Sequence, residues 1–435
     1  MAKSYSLLER NLAKALEQFP QIKQTAKTAY QYLNYWYYGD RKFTLNLHPQ
    51  VKILTPFEWS DTTPTTAEIF FGYYDKSPWS PDMTQLVYHR FSGNVLEIVV
   101  YNRPKKSVTS LATTKTWSSQ QGSMVQWIDN QTIIFNDLVE GNLVARIIKI
   151  EEPTETTVSL PIQTLHPNGK EALSLNYKRL DKMRPEYGYS VTANNFTSNL
   201  PYTEDGIWHL NLETKQTKLI ITIESLINNQ PRPEMTDCQH KVNHIMYSPQ
   251  GRRYVFMHRW LGSNGKYSRL YVAELAEGEA QRDRDGNLKL LLDDRMISHY
   301  SWQDEENLLA WARTEENGDC YYSINVITGE KEIIGRNTLD IYGDGHPSFS
   351  PDRRWILTDS YPDKARQQHL LLYEIATGKL TEIASFLAPL KYSAGARCDL
   401  HPRWSPDGNW VSVDATYEGR RMSYILDVSE LVNSK

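Results

Sequence analysis

One short phrase recurs along the chain about every 50 residues, and it constrains the architecture more than any other feature. It reads KSPWSPD at 76–82, HIMYSPQG at 244–251, HPSFSPD at 346–352 and HPRWSPDG at 401–408. Each copy has an aromatic residue followed by Ser-Pro-Asp or Ser-Pro-Gln, and a basic side chain three residues before the aromatic. His299 keeps the same phase before Trp302, although its turn has become Gln303-Asp304. Regular repetition at this length means like units stacked or arranged in a ring.

Between the phrases lie short β-rich runs, such as 96–101, 145–150, 269–273 and 369–375. Gly329 and Gly378 mark tight hairpins downstream of the repeat starts. One unit therefore reads as an inner strand with the Ser-Pro-Asp turn, a second strand, and a hairpin of two more. That is one blade of a β-propeller. Starts at Lys76, Met124, a degenerate copy near His166, His244, His299, His346 and His401 predict an all-β, seven-bladed propeller over residues 50–435. An eighth blade within the wide gap before His244 is the alternative. The last blade is one strand short, and Val51–Leu54 is positioned to complete it and remove free edges.

Residues 1–49 form a separate N-terminal extension. Apolar residues at three- and four-residue steps predict helix over 5–38, interrupted at Pro20 and ended by the aromatic cluster before Gly39. The reading is a helical pair packed outside the propeller; a membrane-surface or partner-binding role is the other.

A net charge of −4 excludes nucleic acid as the main partner. No apolar run approaches the length of a membrane span, so no integral membrane segment is expected. Three scattered cysteines read as free thiols, and the start of the chain lacks a secretory signature, which points to the cytoplasm. Walker, dinucleotide-binding and Gly-x-Ser-x-Gly motifs are all missing.

In a propeller, the start of the first strand and the end of the second lie on one rim. Lys76, His244, His299, His346 and His401 occupy first-strand starts. Arg90, His258, Arg259, Trp260, Arg313, Asp359, Tyr361 and Asp414 sit at or near second-strand ends. One face thus gathers imidazoles, guanidiniums and carboxylates. His48, His166, His209 and His369 fall off this beat and read as structural or surface residues; His240 is undecided. Imidazoles from different blades, with Asp344 two residues before His346, suit a divalent ion of mixed N/O preference.

At these residues the chain resembles the oligogalacturonide lyases. The likeness rests on WSSQQGSMVQW at 117–127, on His299 before Trp302, on HPSFSPD and on the last HPRWSPDG. It implies a cytoplasmic seven-bladed propeller that splits acidic, uronate-containing oligosaccharides by β-elimination. The family holds manganese through three histidines and a glutamine, two of the histidines forming a His-x-His pair. Carried over, His299 and His346 match, with Asp344 where the pair's other histidine would stand; on the shared rim, Asp344 or His401 is expected to complete the metal set. The resemblance implies a histidine base assisted by arginine: His258 with Arg259, His244 being the competitor. Lys76, Arg90 and Arg313 are then candidates for uronate carboxylates, and Tyr73, Tyr74, Trp260 and Tyr361 for sugar faces. A non-catalytic glycan- or protein-binding scaffold is the alternative function.

Overall fold

A computed structural model of the chain describes residues 20–40, 42–54, 66–93, 95–152, 154–263, 265–275 and 288–433. Seven antiparallel sheets follow one another along the chain, and the fold is the expected seven-bladed β-propeller. Blades one to five run from Glu68–Phe70 to Lys331–Ile334, and blades six and seven from Ser348–Phe349 to Met422–Asp427. The wide gap before His244 is filled by an excursion of the third blade around the helix Tyr177–Met183 and by the helix Ile223–Asn228, so no eighth sheet forms there.

The repeated phrase closes the turn between the first two strands. In the first blade Ser80 Oγ donates to Asp82 at 2.7 Å and accepts the Gln85 N–H at 3.0 Å. The same two bonds recur at Ser350 and at Ser405. At two of the corresponding positions an indole ties neighbouring blades together. The Trp127 indole donates to the Pro78 carbonyl, and the Trp302 indole to the corresponding Met246 carbonyl one blade earlier. Most of the phrase is therefore explained by folding. Its basic position is not.

The chain divides into two compact units, Phe57–Ile333 and Met1–Pro56 with Ile334–Lys435. In the first, Leu143, Leu173, Ile207, Phe256 and Tyr271 from three blades share one apolar cluster. In the second, Lys52–Leu54 pairs with Met422–Asp427 and completes the last blade as its fourth strand, as the missing strand there led one to expect. Leu45–Leu47, assigned to the helical extension from sequence, instead adds a fifth strand to blade six.

The N-terminal helix is Pro20–Tyr38; the predicted helix over 5–19 lies outside the described residues. Its aromatic face is not packed away. Tyr32, Leu33, Trp36 and Tyr37 are exposed while Asn34 is buried, and Lys364 lies over the Tyr38 ring. Among the described residues no helix is long and apolar enough to cross a membrane.

Candidate functional site

The histidines of the repeat stand where the inner strand leaves its ladder. Register shifts between Asn243 and Met246 and between Ile297 and Tyr300 place His244 and His299 in β-bulges. In the last two blades the inner strand shrinks to Ser348–Phe349 and Arg403–Trp404, leaving His346 and His401 just before it. Each is followed by proline, which has no N–H to give a ladder. Met124, His244 and His401 also share a left-handed backbone, with φ of 57°, 54° and 44°. Non-glycine residues are uncommon there, and such strain persists where the surroundings impose it, often at functional sites.

Within the unit Phe57–Ile333, His244 sits in an aromatic cage. Its ring stacks on Tyr300 at 4.3 Å and meets the edges of Tyr73 and Tyr74. The Tyr74 hydroxyl donates to the Tyr300 carbonyl and accepts the Tyr300 N–H, so it pins the bulge of blade five. His244 Nε2 lies 3.7 Å from Asp75, whose carboxylate is also paired with Lys76 at 2.5 Å. Lys76 is thus neutralised by its neighbour and is not an open cation for a substrate. His299 lies on the far edge of Tyr74, at 5.7 Å between rings.

Arg259 and His258 are adjacent on one strand, so alternation sends them to opposite faces. His258 faces inward to a closed hydrogen-bond chain. Arg269 Nε donates to His258 Nδ1, His258 Nε2 contacts His240 Nδ1, and His240 Nε2 contacts the Met235 carbonyl. One assignment of protons satisfies every atom: each imidazole carries its hydrogen on Nε2 and accepts on Nδ1. Burial, with Arg269 beside it, holds His258 well below the usual imidazole range, and His240 falls to about 4 from burial above all. No lone pair of His258 is left to take a proton from a substrate. Trp260 stacks on Tyr267 and over His240 in the same buried layer.

The opposite face carries Arg259, directly across the strand pair from Lys241. Both are buried. Arg259 donates to the Ile297 carbonyl, and its Nε has no hydrogen-bond partner among the described residues. Burial and the charge of Arg184 lower its pKa, with Tyr73, Tyr187 and Tyr300 close enough to act on it as well.

The unit ending in blades six and seven holds a second cluster. His346 bonds Asp359 twice, through its backbone N–H and through Nδ1, each at 2.8 Å. The other Asp359 oxygen accepts the His401 N–H at 3.1 Å. The two imidazoles meet edge to face at 4.3 Å. Ligand atoms of His346, His401 and Asp399 come within 4.8 Å of one another. With Nδ1 committed to Asp359, the His346 ring presents Nε2 to a ligand, the carboxylate–histidine arrangement that orients metal-binding imidazoles. Arg397 holds one Asp399 oxygen, and the other is buried with no hydrogen-bond partner among the described residues. Two imidazoles and a carboxylate fit a divalent cation of borderline hardness.

This triad differs from the set expected: His299 and Asp344 are not in it, and Asp399 is. The sequence held the signal, because Asp399-Leu400-His401 repeats the spacing of Asp344-Gly345-His346 one blade later. Tyr361 lies beside His346 and under the Arg397 guanidinium. Arg90 and Arg313 are engaged locally, by Glu97 and Asp319, each at 2.6 Å. The off-beat histidines are structural where their bonds are seen: His166 reaches the Gly251 carbonyl, His209 pairs with Glu171 and His369 with Glu382.

No protein-family model and no curated relative matches the sequence. Solved structures do share the fold. An oligogalacturonate lyase from Vibrio parahaemolyticus is 13% identical, with 89% of this chain and 97% of that one covered at a TM-score of 0.56. An oligogalacturonate lyase in complex with manganese is 12% identical over 87% and 96% of the two chains, at 0.58. The β-propeller domain of the Trilobed protease from Pyrococcus furiosus follows at 11%, 84% and 95%, and 0.50. Likeness at these identities speaks for the fold alone.

Proposed function

We propose that this protein cleaves acidic, uronate-containing oligosaccharides by β-elimination, with His244 as the base. The observation that carries the reading is the setting of His244: a strained bulge, an aromatic cage, a carboxylate beside Nε2 and a buried guanidinium among the same tyrosines. With Nε2 turned to Asp75, Nδ1 is the nitrogen that takes the proton at C5 of the sugar. Asp75 then stabilises the imidazolium, as the acid of a triad does for its histidine. The C5–H electron pair becomes the C4–C5 double bond. The C4–O bond breaks toward the departing sugar, whose oxygen takes a proton from water. Arg259 neutralises the charge that develops on the C5 carboxylate. Tyr73 offers a flat surface to a pyranose ring.

His346, His401 and Asp399 would hold the divalent metal that the resemblance implies. Such an ion supplies charge neutralisation for a carboxylate. Asp359 orients His346 for it, and Arg397 fixes Asp399. Incubation with a panel of acidic and neutral oligosaccharides tests the reading. An unsaturated uronate chromophore from acidic substrates alone supports it. Retention of glycans without any such product would make the protein a binding scaffold instead.

A further inference from the structure

Two cations facing each other across a strand pair repel, and a fold usually places an acid between them. Lys241 and Arg259 break that pattern. They are register partners on one face of blade four, with side chains rooted about 5 Å apart. Lys241 is only 4% exposed, and among the described residues its amine has no hydrogen bond and no ion pair. The surroundings do not compensate. Arg184 and Lys266 add positive charge, and the opposing charge of Glu186 is the smaller influence. Burial first, and then these cations, push the Lys241 pKa well down. Arg259 brings an Nε that also lacks a partner.

We infer that Lys241 and Arg259 form a two-cation cradle for the carboxylate of a uronate residue, making Lys241 a specificity-determining residue of the proposed lyase site. A carboxylate has two oxygens and accepts from both donors, satisfying the Arg259 Nε and the Lys241 ammonium together. It also removes the repulsion between them. A neutral sugar does neither, so selection for acid over neutral saccharide is built into the strand register. Lys241→Met should therefore cost nothing in the free protein and everything in recognition. This inference rests on the lyase reading for its ligand, but its test does not require turnover.

The experiment is thermal unfolding and calorimetric titration of the full chain with sodium D-galacturonate, using D-galactose and sodium sulfate as controls. Galacturonate should raise the melting temperature of the wild type, and galactose should not. Lys241→Met should melt at or above the wild-type temperature without ligand and bind galacturonate on the order of 10-fold or more weakly, the effect of losing a charge-assisted hydrogen bond. Lys241→Arg keeps the charge and should keep the galacturonate response, which guards against a variant that fails to fold. Sulfate stabilising the wild type as well as galacturonate does would overturn the uronate assignment. Undiminished galacturonate binding by Lys241→Met, or its loss in Lys241→Arg, would overturn the cradle. Galacturonate binding that depends on Lys241, with no elimination of any oligomer, would sink the lyase reading and leave the cradle standing.

Discussion

His346 is tied to Asp359 by two hydrogen bonds from one residue to one carboxylate oxygen, the backbone N–H and the ring Nδ1. Because the other oxygen takes the His401 N–H, one side chain sets both imidazoles of the proposed metal site. Asp359→Asn should therefore lower metal affinity by about 10–100-fold, the usual effect of losing such an outer partner. Competitive titration with manganese or zinc measures it. Unchanged affinity would mean that the cluster does not bind metal through His346.

Gly345 shows how closely the backbone that carries this carboxylate is packed. A β-carbon there would fall 2.0 Å from the Asp359 backbone oxygen. Gly345→Ala should displace that strand end, lowering stability by about 1–3 kcal/mol, the range for forced overpacking. Urea denaturation would show it. A variant as stable as wild type would place Asp359 differently.

His258 and His244 separate in their roles. Loss of the His258 ring strands Arg269 Nε and His240 Nδ1 in a buried layer. His258→Leu should lose about 3 kcal/mol or more of stability, as when a buried network is broken, with turnover per folded molecule retained. A stable but inactive His258→Leu protein would return the base to that position.

Stability should respond to pH from both sides. Burial disfavours a charged His369, yet the Glu382 hydrogen bond and the charges of Glu382 and Asp363 outweigh it and raise the ring to about 9. Its contribution is complete below the usual 6.5 and is lost as pH rises through about 9. His240, depressed to about 4, acts in the opposite sense. Its contribution is present above 6.5 and falls away as pH drops toward 4. In His369→Gln the decline between pH 6.5 and 9 should flatten, followed as melting temperature against pH. An unaltered alkaline limb would show that His369 is not charged in the fold.

The fold was legible because its determinants are local. The turn after the aromatic and the phase of the residue three before it recur, in full or degenerate form, along the chain, so seven starts could be counted and Val51–Leu54 assigned to the last blade. The site was legible only in its phase. The beat marked His244, His346 and His401, and the repeated Asp-x-His spacing pointed to Asp399, but Asp75 came from a segment that no period reveals. The choice of His258 rested on Arg259 beside it in the sequence, and strand alternation puts that arginine on the opposite face. Lys241 was invisible because a cation is ordinarily a solvated side chain, and only strand register shows it opposite Arg259.

The most direct test of the central claim is the rate at which the unsaturated-uronate absorbance grows when metal-supplied protein acts on short galacturonate oligomers, wild type against His244→Ala. The wild type should generate the chromophore. The variant, folded and still binding galacturonate, should be slower by a factor on the order of 10²–10⁴, the contribution of a general base. A wild type that yields no unsaturated product, or a His244→Ala protein that keeps pace with it, would contradict the account.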